Sequence, residues 1–202
     1  MYLSQANKSL TGEVRLSYVH LAAPYVNPQQ PNAEPKYGVT ILIPKSDTAT
    51  KADLDASIAA AAQTAVDKSW KGVRPPIIPN PLHDGDGVRQ DGTPFGPECK
   101  GHWVMTASRR QQDGKPWVCD ISNPNVELAP QDIYSGAYAR CTVHFFGYNN
   151  MGKKGIGCSL DGVMKTRDGE SLGGAVKPTA NEFAQFAAVA QPQINPVTGQ
   201  PM

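Results

Sequence analysis

Residues 134–167 read YSGAYARCTVHFFGYNNMGKKGIGCSLDGVMKTR, and this stretch decides the fold. Two strands, 134–149 and 155–167, are predicted on either side of a basic, glycine-rich turn. Because successive strand residues point to opposite faces, the first strand has one small, apolar face that is typical of a core. That face consists of Ala137, Ala139, Cys141, Val143 and Phe145. The pair Asp161-Gly162 indicates a bulge or bend in the second strand.

The opposite face of the first strand carries more rings than a solvent-facing strand normally does. It consists of Tyr138, Arg140, Thr142, His144, Phe146 and Tyr148. The pattern alone leaves two interpretations open. Either a second layer or a partner subunit covers the rings, or the rings form a platform on which unpaired bases stack. Each stacked base contributes about 1–3 kcal/mol, whatever its identity.

Positive charge is concentrated in the same stretch, although the whole chain has 19 Lys and Arg residues against 18 Asp and Glu residues. Residues 134–167 contain Asp161 as their one acidic residue. Their cations are Arg140, Lys153, Lys154, Lys165 and Arg167. Rings interleaved with cations are typical of surfaces that hold single-stranded nucleic acid. Such binding weakens with salt, with a log–log slope of about −0.7 per neutralised phosphate.

The rest of the chain predicts a β-rich domain with one helix. Further strands are predicted at 13–21, 36–44, 102–110 and 117–121. Loops are predicted at 23–35, 71–101 and 123–131. The helix begins at a Ser46-Asp47 cap and continues to Trp70, with an apolar face made mostly of alanine. This order fits a mostly β fold with one main helix, namely an OB-fold-like Greek-key barrel with long loops.

The composition changes after Gly174. Residues 178–190 predict a short amphipathic helix that presents Phe183 and Phe186, and residues 191–202 are polar and proline-containing. We therefore expect a domain at 1–174 and a flexible C-terminal tail at 175–202. Residues 1–10 are polar, and no apolar run is long enough to cross a bilayer, so we expect a soluble protein of a reducing compartment with free thiols.

Further candidates for nucleic-acid contacts lie earlier in the chain. Arg109 and Arg110 end the predicted strand 102–110, and Trp103 shares a face with Arg109, although a core position suits Trp103 slightly better. The secondary candidates are Lys36, Tyr37 and Arg15. Weaker candidates for the edge of a groove are Trp70, Lys71 and Arg74.

Signals for catalysis or metal binding are weak. His83, Asp84 and Asp86 offer ligands for a divalent cation but lack the further acidic spacing of a calcium loop. Cys99 and His102 are spaced as half of a zinc site, with no matching second half. Sequence motifs for a nucleophile elbow, a phosphate-cradling loop and a zinc protease are absent. We expect no catalytic residues, no metal and no cofactor.

One set of short motifs is more specific than composition or periodicity. After residue 133 it consists of Tyr134-Ser135-Gly136, Tyr138, Arg140, Phe146, Tyr148-Asn149, Lys154-Gly155-Ile156, Arg167-Asp168-Gly169-Glu170 and Leu172-Gly173-Gly174. Earlier members are Arg15-Leu16-Ser17-Tyr18, Pro35-Lys36-Tyr37, Leu42-Ile43-Pro44-Lys45 and Asp84-Gly85-Asp86. On these motifs, residues 9–175 resemble a family of bacteriophage single-stranded-DNA-binding proteins that was long catalogued as a domain of unknown function.

The resemblance implies a non-enzymatic OB-fold protein that coats unpaired DNA without sequence preference during phage replication or recombination, in the cytoplasm of the bacterial host. We expect stacking on Tyr138, Phe146 and Tyr148. Phosphate contacts are expected from Arg140, Lys153, Lys154, Arg109 and Arg110, extended by Lys165 and Arg167. The expected partner is single-stranded DNA and not a membrane, and the protein is expected to be a monomer or homodimer.

The tail departs from the family pattern. Family members commonly end in an acidic tail that contacts replication partners, whereas residues 175–202 hold Glu182 as their one acidic residue. Phe183 and Phe186 are the candidate anchors for contacts of the tail with phage or host replication and recombination proteins. The alternative is that the tail is only a frayed end of the chain. Two alternatives stay open. The first is a virion structural or assembly protein whose aromatic face is a subunit interface, and the second is a metal-dependent nuclease using Asp84 and Asp86.

Overall fold

The computed structural model describes residues 5–28, 31–89 and 91–173. Within them, nine strands belong to one sheet, and one long helix packs against it. The elements are β1 (Lys8–Leu10), β2 (Val14–Tyr25), β3 (Lys36–Pro44), α1 (Thr48–Lys68), β4 (Leu82–Asp84), β5 (His102–Arg110), β6 (Trp117–Asp120), β7 (Asn123–Glu127), β8 (Tyr138–Asn150) and β9 (Lys153–Arg167). Single 3-10 turns occur at Pro97–Cys99, Gln111–Asp113 and Pro130–Asp132.

Five of these strands close into a barrel. β8 pairs with β2, β2 with β3, and β3 with β5, all antiparallel. β5 then meets β9 in parallel at Ser108 and Ser159, and β9 pairs with β8 along nearly its whole length. This circular order is that of the OB-fold, a five-stranded Greek-key barrel, and the predicted fold class is confirmed.

The β8–β9 hairpin extends beyond the barrel and follows the alternation that the sequence predicts. Val143 and Phe145 are fully buried, whereas Phe146 is 45% exposed. The predicted bulge is also present, because Thr142 pairs with Gly162 and Val143 pairs with Leu160, which leaves Asp161 between them without a partner in the ladder. The bulge bends β9 and re-aims the Asp161 side chain.

α1 lies across the outside of the barrel, mainly against β8. Its first turn is capped by Asp47, whose carboxylate accepts a hydrogen bond from the Thr50 amide at 3.0 Å. The alanine-rich face allows close approach, and a methyl group placed on Gly147 would collide with Ala65. Trp70, a weak candidate for the groove edge, is instead fully buried after the helix, and its indole N–H donates to the Tyr148 carbonyl oxygen at 2.9 Å.

Several elements differ from the sequence-based prediction. β7 occupies residues predicted as loop, and it forms because Cys119 pairs with Glu127 and Asp120 with Asn123 across a tight turn. β1 and β4 were not predicted; each is three residues long, too short to show a period, and each forms by pairing with a long strand. β2 runs four residues beyond the predicted end at residue 21 because it keeps pairing with β3.

The four cysteines, Cys99, Cys119, Cys141 and Cys158, are all buried and free. Burial raises the pKa of the Cys141 thiol to about 12, so this thiol behaves as a small apolar side chain. Of the helices in the described ranges, none has the length and hydropathy that a membrane crossing requires. The predicted tail, with Phe183 and Phe186, lies outside the described residues, as does the expected domain boundary at 174.

Candidate nucleic-acid interface

A groove of about 1150 Å³ is bordered by the barrel and the β8–β9 hairpin. Its lining includes Thr106 and Ser108 from β5, His144, Phe146 and Tyr148 from β8, and Gly157 and Ser159 from β9. β4 contributes His83, the segment between β4 and β5 contributes Arg89 and Phe95, and the rim carries Lys36, Arg109, Arg110 and Asp113. The groove therefore combines rings, hydroxyl groups and cations in one open channel.

The two rings from β8 rest on glycines of β9. Phe146 pairs across the sheet with Gly157, and Tyr148 pairs with Gly155. A methyl group placed on Gly157 would lie 2.6 Å from Cζ of Phe146, and one placed on Gly155 would collide with the Tyr148 ring. Each ring therefore fills the space that a side chain on its partner would occupy. This cross-strand packing holds the rings in place while Phe146 remains 45% and Tyr148 37% exposed.

Three cations at the rim come from neighbouring positions of β3 and β5. Lys36 pairs in the sheet with Arg110, and Tyr37 pairs with Arg109. Arg110 forms two hydrogen bonds with the Asp113 carboxylate, at 2.7 and 3.0 Å. These bonds from Arg110 hold the pKa of Asp113 below its ordinary value. Lys36 is exposed and, among the described residues, has no acidic partner.

Arg109 is held by the turn that follows its strand. Its guanidinium donates to the carbonyl oxygens of Asp113 and Gly114 at 2.8–3.0 Å, and it lies 3.6 Å from the Asp161 carboxylate. These contacts fix the guanidinium beside the groove: its hydrogen bonds go to uncharged carbonyl oxygens, while the Asp161 carboxylate offsets part of its charge.

β4 and the segment between β4 and β5 together supply a wall that the sequence did not reveal. The Arg89 guanidinium lies 5.1 Å from the centre of the Phe95 ring, and the His83 ring lies 6.2 Å from the same ring. Phe95 also packs against the buried side chains of Leu42, Cys99 and Val104. The sequence offered one general indication of this wall, the long predicted loop at 71–101, because a long irregular stretch inside a compact domain is usually functional or mobile.

A half-buried carboxylate lies beside the groove, on the bulge of β9. Asp161 is hydrogen-bonded to the His144 ring at 2.8 Å and forms ion pairs with Lys8 at 3.0 Å and Arg109 at 3.6 Å. Burial raises the pKa of the Asp161 carboxyl, but the hydrogen bonds with His144 and Lys8 lower it by more, so the net pKa lies below its ordinary value. Side chains from three strands, β1, β5 and β8, thus converge on one carboxylate.

Tyr138, predicted to stack on a base, lies outside the groove lining at the other end of β8. Its ring is covered by the Arg167 guanidinium at 3.4 Å from the ring centre, and Arg15 approaches at 5.8 Å. Arg167 is also paired with Glu13 at 2.9 Å, and Arg15 donates to the carbonyl oxygen of Glu170 at 2.9 Å. These contacts make Tyr138 the centre of a packed cluster.

Lys165 and Arg140 also lie away from the groove lining. Lys165 is nearly buried and pairs with Asp168 at 2.7 Å, beneath the Tyr134 ring. Arg140 borders a smaller cleft of about 290 Å³ beside the start of α1, together with Asp47 and Asp53. The predicted contacts of Lys165 and Arg140 with nucleic acid stay predictions.

The remaining predicted residues fall in several environments. Trp103 packs against the core, with the ammonium groups of Lys45 and Lys51 at 5.1 and 4.7 Å from the ring centre. Tyr37 is partly buried on the core-facing side of β3, beside the buried Val39. At the hairpin tip, Lys153 is exposed, while Lys154 donates hydrogen bonds to two carbonyl oxygens that follow α1.

Asp84 and Asp86, the ligand candidates of the nuclease alternative, both bind Lys45, at 2.5 and 2.6 Å. Hydrogen bonds from Lys45 hold the pKa of both carboxyls below the ordinary value. A lysine ammonium thus occupies the position between the two carboxylates. The pair fixes the segment between β4 and β5 to the end of β3.

Comparison with known proteins identifies a matching family and a curated relative. Residues 7–192 match the model of a family described as Enterobacter phage Enc34, ssDNA-binding protein. A curated relative, putative protein p50 of Acyrthosiphon pisum secondary endosymbiont phage 1, is 30% identical over 194 residues, which cover 90% of this chain and 98% of the relative.

Solved structures of other phage proteins are similar in fold to this protein. The single-stranded DNA-binding protein from bacteriophage Enc34 in complex with ssDNA matches with a TM-score of 0.68 and 28% identity, over 84% of this chain and 91% of that chain. The single-stranded DNA-binding protein gp2.5 of bacteriophage T7 shares the fold at a TM-score of 0.55 and 15% identity, over 88% of this chain and 93% of that chain. The predicted resemblance is confirmed, and the chain belongs to the family of the Enterobacter phage Enc34 ssDNA-binding protein.

Proposed function

We propose that this protein binds single-stranded DNA in the groove between the barrel and the β8–β9 hairpin, without sequence preference. The observation that carries the proposal is the placement of the Phe146 and Tyr148 rings beside the cations of one open groove. Family membership supports the same ligand, because the Enc34 relative has been solved in complex with ssDNA.

The chemistry of the groove suits an unpaired strand. Bases stack on Phe146 and Tyr148 and on Phe95 across the groove, each stacked base contributing about 1–3 kcal/mol. Phosphates contact Lys36, Arg109 and Arg110, with Arg89 available on the opposite wall. Rings and phosphate contacts do not distinguish one base from another, so binding is expected to tolerate any sequence.

The cluster around Tyr138 has less support as a DNA contact. Tyr138, Arg15 and Arg167 are engaged with one another and with Glu13 and Glu170. A base would have to displace Arg167 from the ring before it could stack there. We therefore assign the primary contacts to the groove and a packing role to this cluster.

We propose a binding rather than a catalytic role. The relatives that carry a functional description are described as DNA-binding proteins. Coating of unpaired DNA during phage replication or recombination, in the cytoplasm of the bacterial host, follows from this assignment. The proposal also includes protein partners that bind a tail at 175–202. It further includes a monomeric or homodimeric state.

Binding of fluorescent oligo-dT, measured by anisotropy at low salt and then across a salt series, tests the function. We expect a saturable complex that weakens steeply as salt rises. An absence of binding at low salt would overturn the proposal. Light scattering of the free protein tests the virion alternative, which requires a large closed assembly without DNA affinity. Incubation of labelled strands with magnesium or manganese addresses the nuclease alternative, which requires cleavage.

A further inference from the structure

A stacked pair of rings lies on β2, outside the groove lining. The rings of His20 and Tyr25, here called the ring pair, are 4.3 Å apart between their centres and 16° from parallel. Tyr25 is 45% exposed, as much as Phe146, and His20 is half-buried. An exposed ring close to a groove for nucleic acid is a candidate contact for a base.

The sheet register places the His20 ring on the face that carries the groove. His20 pairs with Gly38 of β3, and Gly38 pairs with Ser108 of β5, which lines the groove. Side chains of directly paired residues lie on the same face of a sheet. Val19 and Leu21, on either side of His20, pack with the core on the opposite face. Because neighbouring strands are about 4.8 Å apart, His20 lies about 10 Å from Ser108 along the groove face.

A bulge in β2 brings Tyr25 to the same face. Tyr25 pairs with Lys36 at the groove rim, and Lys36 is two positions from Gly38 on β3. Strict alternation would send His20 and Tyr25 to opposite faces, because they are five positions apart. The register shift between them supplies the extra residues that return Tyr25 to the groove face, where the two rings stack.

The surface between the groove and the ring pair consists of small residues. Ser159 of β9 pairs with Ser108 of β5, and Gly38 of β3 continues the row. A methyl group placed on Gly38 would lie 3.6 Å from the Ala107 carbonyl oxygen and 3.7 Å from Cβ of Ser108, which are ordinary contact distances. Packing therefore does not require a glycine at this position, and the missing side chain leaves an open path across β3.

A cation lies beside the ring pair. Lys36 is the direct neighbour of Tyr25 in the sheet, and the Cβ atoms of such neighbours are about 5 Å apart. Lys36 is exposed and, in the part of the chain that the structure describes, has no acidic partner, whereas Arg110, next along the row, is bonded to Asp113. The ring pair and Lys36 together offer what one nucleotide needs, namely a stacking face and a phosphate contact.

We propose that the ring pair is a further stacking site, which takes one base of single-stranded DNA. The strand reaches it by leaving the groove over Gly38, with a phosphate at Lys36. His20 covers one face of the Tyr25 ring, and the base stacks on the other face. The inference rests on the proposed function of the groove, and it extends the path of the DNA from β5 across β3 to β2.

Binding of an oligo-dT of about 20 nucleotides, longer than the site of a single OB-fold, tests the inference by fluorescence anisotropy. Tyr25→Ala removes the ring, and we expect the dissociation constant to rise by about 5- to 100-fold, comparable to the loss of one stacked base. Tyr25→Phe keeps the ring and should stay within about threefold of the unmodified protein. Neither substitution removes a cation, so the slope of log affinity against log salt should stay unchanged, whereas Lys36→Ala should make it less steep by about 0.7.

A second variant tests the path instead of the ring. Gly38→Leu places a side chain on the row between Ser108 and His20, where its Cβ meets no close contact. A strand tolerates leucine better than glycine, so we expect the circular dichroism spectrum and the thermal unfolding midpoint to stay close to those of the unmodified protein. Affinity for oligo-dT should nevertheless fall by at least about fivefold, because the strand no longer reaches the ring pair.

Two control variants separate the ring pair from other rings. Trp117, on β6, is 47% exposed and lies outside the groove lining, so Trp117→Ala should change the affinity by less than about twofold. Phe146→Ala reports on the groove itself. Unchanged affinity in folded Tyr25→Ala or Gly38→Leu, or an equal loss in Trp117→Ala, overturns the inference, while weaker binding by Phe146→Ala keeps the groove function. If the unmodified protein does not bind oligo-dT at low salt, both the groove function and the inference fail.

Discussion

The ring of Phe146 occupies the space above Gly157, its cross-strand partner, so closely that an added methyl group would lie 2.6 Å from the ring. The glycine leaves room for the ring to pack against the sheet while 45% of Phe146 stays exposed. The missing side chain at Gly157 of β9 thus allows the Phe146 ring of β8 to lie against the sheet.

This relationship predicts that Gly157→Val weakens DNA binding although Gly157 itself offers no side chain to the ligand. The added side chain displaces the ring from the sheet, and we expect the dissociation constant for oligo-dT to rise by about 5- to 100-fold, comparable to the loss of one stacked base. Anisotropy on the variant, with circular dichroism to confirm the fold, provides the measurement.

A double-mutant cycle separates ring displacement from a general disturbance of the hairpin. If Gly157→Val acts through Phe146, it should cost little further affinity in a background that already carries Phe146→Ala. Fully additive losses of binding free energy would show that the valine acts by another route.

Adjacent residues on β8 should separate stability from binding. Phe145 is fully buried, and Phe145→Ala is expected to lower the free energy of unfolding by about 3–5 kcal/mol. Phe146→Ala should leave the free energy of unfolding nearly unchanged and weaken binding by about 1–3 kcal/mol. Urea unfolding and oligo-dT titration of both variants check this. Unfolding by Phe146→Ala with unchanged binding would mean that the two faces are inverted.

Asp161 should stabilise the fold while opposing DNA binding. The pKa of its carboxyl is lowered in the folded state, so its contribution to stability is fully present above the ordinary carboxyl pKa of about 3.9. The contribution is lost as the pH falls through the lower folded value, because the unfolded chain binds the proton first. Asp161→Asn should therefore lower stability at pH 7, by about 1–3 kcal/mol, and flatten its acid dependence.

The same substitution removes a negative charge beside the groove. Oligo-dT affinity at low salt is expected to rise by about two- to fivefold, since Arg109 and His144 no longer face a carboxylate. Thermal unfolding between pH 3 and pH 7, combined with titrations at neutral pH, measures both effects. Weaker binding by a folded Asp161→Asn protein would contradict the expectation and assign Asp161 a role in orienting its cations.

The salt dependence of a Lys36 variant tests whether Lys36 makes one phosphate contact. It is exposed at the groove rim opposite Arg110 in the sheet, and we expect Lys36→Ala to make the slope of log affinity against log salt less steep by about 0.7. Lys115→Ala is a suitable control, because Lys115 pairs with Glu127 outside the groove lining. An unchanged slope in Lys36→Ala would place the phosphate path elsewhere.

Local signals in the sequence predicted much of the fold. The bounds of β3 and β5 match the predicted strands, and α1 begins at its predicted cap, Asp47. These elements carry their own period or capping residue, which acts over a few neighbours along the chain. β1, β4 and β7 were missed because short strands form through partners that lie elsewhere in the sequence.

The candidate site was predictable only in part, for the same reason. The two-residue period of β8 by itself determined that Phe145 and Phe146 point to opposite faces and that Phe145 shares the small, apolar face, because backbone geometry alternates side chains whatever surrounds them. The same period placed Tyr138 and Phe146 on one face. It carries no information about what lies opposite that face.

Only the tertiary structure decided which rings share the groove. Tyr138 and Phe146 are eight residues apart, about 26 Å along an extended strand, so each meets different neighbours. Arg167 covers Tyr138, while Phe146 faces a groove whose far wall, with Phe95, comes from an irregular segment. The sequence by itself determined the face of each residue, and long-range packing decided which of them stay open to a ligand.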